Sequence, residues 1–291
     1  MKKISILLIA IMVMSFLVAC GGNNSGGFDS SRTINVITRE DGSGTRGAFT
    51  EIVGILEEDA NGNEVDRTYI EAIVQNSTDA VMTTVAGDEY SIGYISLGSL
   101  NDNVKAVSIE GVEPTAENIQ NDSYKIARPF NVAYKESLSP VAQDFLNFIL
   151  SNEGQEIILG EGYVQAVTDP QAYDGSTDQN GSIVVAGSTS VTPVMEKLAE
   201  AYMEIHPEVS IEIQSTGSSA GMQAAMEGTA DLGMASRELK DSELAELTAQ
   251  AIAVDGIVVI VNKENPVNDL TLEEVKGIFV GDITEWDTVI D

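Results

Sequence analysis

The sequence predicts an α/β fold arranged as two lobes. Apolar strand-like runs alternate with helical patterns along the chain after residue 30. About 270 residues follow an apolar leader, enough for two lobes with cores of their own. Three of the strand-like runs end in Gly/Ser/Thr turns that open a helix.

The leader comes first. Lys2 and Lys3 precede an apolar stretch at 4–19, and Leu17-Val18-Ala19-Cys20 has the form of a lipobox. The stretch is short for a membrane span and ends on small residues and Cys20. Residues 1–19 therefore read as a lipoprotein signal peptide and Cys20 as the lipidation site. Residues 20–30, with Gly21-Gly22-Asn23-Asn24-Ser25-Gly26-Gly27, read as a flexible tether. A single cysteine offers no disulfide and no cysteine-based metal site.

Runs at 33–38, 92–95, 126–134, 183–186, 211–214 and 256–261 read as strands. Helical spacing recurs at 68–74, 79–86, 140–150, 192–205, 242–249 and 272–279, with a further helix from Gly47. Thr271 and Glu274 have capping-box spacing. The aliphatic-free stretch 169–181 reads as a surface linker.

The three turns carry the chemistry. They are Arg39-Glu40-Asp41-Gly42-Ser43-Gly44-Thr45-Arg46, Gly187-Ser188-Thr189-Ser190 and Thr216-Gly217-Ser218-Ser219-Ala220-Gly221. Each would present backbone N–H groups and hydroxyls at the positive end of a helix, the makeup of an anion site. Three in one chain point to helix N-termini converging on one oxyanion.

Two enzymatic readings compete. Gly42-Ser43-Gly44-Thr45-Arg46-Gly47 fits the dinucleotide fingerprint, but the acidic residue required about twenty positions on falls in a turn at 61–66. Gly217-Ser218-Ser219-Ala220-Gly221 fits a nucleophile elbow, but the only histidine, His206, lies upstream in a turn that reads as solvated. One histidine and one cysteine also supply zinc chemistry poorly. No catalytic residue, cofactor or metal is expected.

The formal net charge is −31, which excludes nucleic-acid binding through a basic patch. It does not exclude an anion ligand. Surface charges are screened over roughly 8 Å at physiological salt, whereas site donors act at contact. Carboxylates such as Asp41 and Asp255, placed in such a site, would select a protonated anion such as hydrogen phosphate over sulfate.

These segments, with Met234-Ala235-Ser236-Arg237 and Ala253-Val254-Asp255-Gly256-Ile257, resemble the solute-binding subunit of phosphate ABC importers. The resemblance covers about residues 31–291, and Arg39-Glu40-Asp41-Gly42-Ser43-Gly44-Thr45 is its most specific part. It implies a two-lobed periplasmic-binding-protein type II fold with two hinge crossovers, holding inorganic phosphate between lobes and delivering it to an ABC permease. Carried over, Thr189, Ser190, Ser218, Ser219, Gly221 and Ser236 would donate to the anion. Arg39 would supply the charged contact, with Arg237 as a second candidate. Asp41 and Asp255 would accept, and Ser43, Gly44 and Thr45 would close the third side. The protein would sit on the extracytoplasmic face of the cell membrane, tethered through Cys20. Other readings are a receptor for another oxyanion or small phosphorylated solute, and a serine-based hydrolase.

One departure is large. In the family the Gly-Ser-Thr-Ser segment lies near the mature N-terminus and the Arg-x-Asp-Gly-Ser-Gly segment in the middle; here the order is inverted. This implies a circular permutant, tolerated where old termini are close and new ones fall in surface loops. The rival is a fusion of two partial copies. Under permutation, 124–260 forms one continuous lobe that includes the linker at 169–181. Residues 31–123 and 261–291 form the other. The crossovers fall near 120–126 and 259–263. A Cys20→Ser variant is predicted to leave the membrane fraction on cell fractionation; retention there would refute the anchor.

Overall fold

The computed structural model describes residues 27–59, 61, 63–175 and 178–290. The expected signal peptide, Cys20 and the tether through residue 26 lie outside the described residues, as does Asp291.

The first elements are β1 (Asn35–Arg39), α1 (Gly44–Ile52), β2 (Ile73–Gln75), α2 (Thr78–Ala86), β3 (Ser91–Ser96) and α3 (Ala116–Gln120). Then come β4 (Ala127–Tyr134), α4 (Pro140–Leu150), α5 (Asn152–Gly160), β5 (Gly181–Gly187) and α6 (Thr192–Ile205). The chain continues through β6 (Val209–Ser215), α7 (Ser218–Glu227), β7 (Leu232–Ala235), β8 (Thr248–Val261) and α8 (Leu272–Val280). The main strands follow the order β6-β5-β7-β4-β8-β3-β1-β2. The fold is mixed α/β, with a curled sheet flanked by helices.

Strand β8 joins the two halves of the sheet. From Thr248 to Gly256 it pairs antiparallel with β4, and from Ile257 to Val261 with β3. The change of partner at Gly256–Ile257 comes just before the expected crossover at 259–263. The last part of β8 is apolar on both faces. Ile257, Val259 and Val261 pack with Phe49, Tyr94, Phe279 and Trp286. Val258 and Ile260 pack with Ile37, Val81 and Val85 on the other face. This two-residue alternation buries a strand on both sides. The other half of the molecule has its own core around Phe130, Phe145, Phe148, Leu198, Tyr202 and Ile252.

The two ends of the described chain meet. Thr33 and Glu285 form an antiparallel bridge. Ile34 N donates to Thr284 O at 2.8 Å, and Asp287 N to Ser30 O at 2.7 Å. Trp286, fully buried, donates its indole N–H to Tyr90 O at 3.1 Å.

Three sequence expectations are corrected. The helix expected at 68–74 is a loop leading into β2, because Ile73 pairs in parallel with Ile37 of β1. Its helical spacing makes no single buried face: Tyr69 and Ala72 pack partly against the core, while Ile70 is 94% exposed. The helix expected at 242–249 is one short turn, Asp241–Leu244, since Thr248 already pairs with Tyr134. The supposedly solvated His206 is buried at the C-terminal end of α6. Tyr173, from the linker, covers it with its hydroxyl 2.7 Å from Nε2. The linker is further pinned by Tyr173 N to Glu153 Oε2 at 2.7 Å and by Asn152 N to Gln171 O at 2.8 Å.

Gly187 ends β5 with φ +142°, and a Cβ there would lie 2.2 Å from Met234 O. Both the left-handed backbone and the close approach to β7 require glycine. Gly187→Ala is therefore predicted to lower stability by more than about 2 kcal/mol in urea unfolding.

Candidate functional site

Strand β1 ends at Arg39, where the Tyr94 hydroxyl lies 2.8 Å from Thr38 Oγ1 and accepts from Arg39 N at 3.3 Å. The chain then turns through 40–43, closed by Ser43 N donating to Glu40 O at 3.0 Å. Ser43 caps α1 by accepting from Arg46 N at 3.3 Å. Gly42 O accepts from Ser219 N of α7 at 3.1 Å. A Cβ on Gly44 would lie 2.4 Å from Ser218 Oγ and 2.8 Å from Ser236 Oγ. The N-terminus of α1, from one half of the sheet, thus abuts that of α7, from the other.

The start of α6 reaches the same place. Thr45 and Ser190 hydroxyls are 2.9 Å apart. Thr78, the first residue of α2, stands 3.2 Å from both Thr189 Oγ1 and Ser190 Oγ. At the centre is Arg39, its side chain 2% exposed. Its Nη2 donates to Thr189 at 3.1 Å, and its Nη1 lies 3.4 Å from Thr78. Glu40 grips the guanidinium from its outer side, Nε to Oε2 and Nη2 to Oε1, each at 2.8 Å. A contiguous hydroxyl group lies alongside. Ser188 Oγ donates to Ser236 Oγ at 2.9 Å, and Ser236 N to Ser218 Oγ at 3.2 Å.

Four helix N-termini therefore converge. Ser43 and Ser77 cap α1 and α2, whereas α6 and α7 have no side-chain cap. Hydroxyls able to donate or accept and a buried guanidinium are donors suited to a tetrahedral oxyanion; at the helix starts themselves Thr192 N already donates to Ser188 O and Ser219 N to Gly42 O.

The sequence-predicted residues divide accordingly. Arg39, Thr45, Thr189, Ser190, Ser218 and Ser236 come together, with Gly44 providing the close approach. Ser43 works as the cap of α1. Ser219 gives its N–H to Gly42 O, and its hydroxyl lies 3.4 Å from Arg237 Nη2. Gly221 lets α7 pack on β5, where a Cβ would meet Ala186 O at 2.4 Å.

The remaining charged residues face elsewhere. Asp41 is 96% exposed at its side chain and pairs with Arg46. Arg237 forks onto Glu243 at 2.7 and 2.8 Å. Burial alone would raise the Glu243 carboxyl, but Arg237 and the Lys240 N–H outweigh it and hold it below its ordinary value. Asp255 is buried against Arg128, Ser96 and Leu97, at the point where β8 changes partners. Burial pushes its carboxyl up, and Arg128 opposes that.

Sequence reasoning missed Thr78 and Glu40. Gln75-Asn76-Ser77-Thr78 is a fourth strand-to-helix turn; the false helix at 68–74 hid the strand before it. The elbow-like serine has no histidine beside it. His206 is at the far end of α6, 14 residues long, which is roughly 21 Å from the cluster.

The comparisons decide the family. The model for the PBP superfamily domain matches residues 23–153 and 172–290. This chain belongs to the PBP superfamily. Within it, the chain is 47% identical over 274 residues to a protein named Phosphate-binding protein PstS 2 from Streptococcus pneumoniae serotype 4, covering 94% of each. A PstS 2 from Streptococcus agalactiae serotype V is 46% identical over 288 residues, 98% of this chain and 97% of that one. Among solved structures, a phosphate-binding protein of a phosphate ABC transporter from Streptococcus pneumoniae TIGR4 superposes with a TM-score of 0.70 at 47% identity. It covers 89% of this chain and 100% of that one. The segment order seen here is thus shared with these superfamily members almost end to end.

Proposed function

We propose that this PBP-superfamily chain is a receptor that binds inorganic phosphate between the two halves of its fold and delivers it to an ABC permease. One observation carries the reading: the buried Arg39 guanidinium stands among hydroxyls contributed by four helix starts from both halves. The streptococcal relatives, named for phosphate, are alike over nearly their whole length. On this reading the site binds without chemistry: hydroxyls, N–H groups and a guanidinium supply recognition, and both oxygens of the nearby Glu40 carboxylate are engaged by Arg39. A second reading, a receptor for another oxyanion or a small phosphorylated solute, uses the same donors.

The halves act as lobes on this reading, with β8 and the chain near Ile126 as the hinge. Arg39–Thr189, Thr45–Ser190 and Ser219–Gly42 hydrogen bonds span the cleft. We read the chain order as a circular permutation of one receptor copy, supported by the Thr33–Glu285 bridge between the first and last described segments. The receptor would work on the extracytoplasmic face, lipid-anchored through Cys20. Among the described residues no helix is long and apolar enough to cross a membrane.

Calorimetric titration tests the ligand. Phosphate should bind, and Arg39→Ala should weaken it by roughly 2 kcal/mol or more, about thirtyfold, because charge-assisted bonds in a desolvated site are the strong ones. Parental affinity in Arg39→Ala would place the site elsewhere.

Selectivity is the second test. Hydrogen phosphate brings a proton that a cluster hydroxyl or Glu40 can accept, and sulfate brings none. Sulfate should therefore bind at least about tenfold more weakly at neutral pH. Sulfate or molybdate within about threefold of phosphate would favour the second reading. The exposed Asp41 is expected to matter little, so Asp41→Asn should stay within about threefold of the parent.

A further inference from the structure

The Arg128–Asp255 pair lies outside the anion cluster yet touches its wall. The two residues are register partners in the β4–β8 ladder, with side chains 1% and 0% exposed. Asp255 Oδ2 accepts from Arg128 Nη2 at 3.0 Å and Nε at 3.3 Å. Its Oδ1 accepts from Ser96 Oγ at 2.9 Å and Leu97 N at 3.1 Å, at the end of β3 in the other half of the sheet. Arg128 has one arm left, and Nη1 donates to Ser236 O at 3.1 Å. Ser236 in turn bonds Ser188 and Ser218. A continuous buried path thus runs from the end of β3, through the crossover, to the cluster wall. The surroundings leave no slack. A Cβ on Gly256 would lie 2.5 Å from Ile119 Cδ1, and one on Gly98 2.1 Å from the Tyr163 ring.

A buried ion pair is weak evidence for stability, since apolar replacements of similar volume are often neutral or better. What an apolar pair cannot supply is direction. Both Asp255 oxygens are committed, so the guanidinium is held in one orientation and Nη1 is aimed at Ser236 O. We propose that Arg128 and Asp255 are positioning residues that register the Ser236 turn, and with it Ser188 and Ser218, against the crossover between the two halves. The inference rests on reading the cluster as an oxyanion site. Without the pair the fold survives, but the turn loses its fixed place relative to Arg39, and hydrogen bonds weaken steeply with misalignment.

The test separates placing the turn from holding the fold together. Asp255→Asn alone strands a buried charge and is expected to destabilise. The informative protein is the double variant Arg128→Met, Asp255→Leu. It should melt within about 4 °C of the parent yet bind inorganic phosphate at least about tenfold more weakly. In the ligand-free protein, amide hydrogen exchange at 188–190 and 234–237 should be faster than in the parent. Parental affinity together with parental exchange would overturn the proposal. Should the double variant not fold, Ser96→Ala removes one donor to Asp255 and strands no charge. It should still speed exchange at those segments, and unchanged exchange there would also overturn the proposal. If the parent itself fails to bind phosphate, the proposed function falls, and the ligand-free exchange result alone decides this inference.

Discussion

A guanidinium taken out of water must be fully partnered, and the partners of Arg39 come from both halves of the molecule. Burial of an unpaired charge costs several kcal/mol even after relaxation. Glu40 meets that demand from the adjacent position with two 2.8 Å bonds. Thr189, from the far half, supplies an acceptor at 3.1 Å. Gathering them fixes where α1, α2 and α6 begin. Gly44, with no room for a side chain, sets how near α7 comes. The convergence of helix starts is thus the geometric consequence of one charge held at the seam.

The seam is as narrow as it is because a single strand belongs to both halves of the sheet. β8 exchanges β4 for β3 across one peptide, and its apolar residues feed cores on either side of the exchange. β8 is one strand from Thr248 to Val261 across this crossover. The Arg128–Asp255 pair lies at that crossover. It is the structural counterpart of Arg39: one buried arginine faces the hydroxyl cluster, the other the turn at Ser236.

The net charge of −31 and a cluster of hydroxyl and guanidinium donors coexist without conflict. The acidic side chains near the cluster are paired with arginines: Glu40 with Arg39, Asp41 and Asp66 together with Arg46, Glu243 with Arg237, and Asp255 with Arg128. The remaining surface charge acts through water and salt, where it falls off within about a Debye length.

The sequence by itself determined the alternation of strands and helices and three of the four helix starts. It also determined the grouping of Arg39 with serine and threonine hydroxyls, because glycine-rich turns and hydroxyl caps are local signals. It misplaced what depends on long-range pairing. Ile73 and Val74 have helical spacing with their neighbours, yet pairing with β1 made them a strand, and that error concealed Thr78. His206 looked solvated because nothing local announces that Tyr173 folds back over it. The carboxylates were the hardest to place. Asp41 and Asp255 sit beside cluster segments in the chain, but direction is a tertiary property. Arg46 draws Asp41 outward into solvent, and the β4–β8 register turns Asp255 toward Arg128. Only the tertiary structure could assign Glu40 to the Arg39 fork and Asp255 to the crossover, because a carboxylate's role follows from which buried donor lies within 3 Å of it in space.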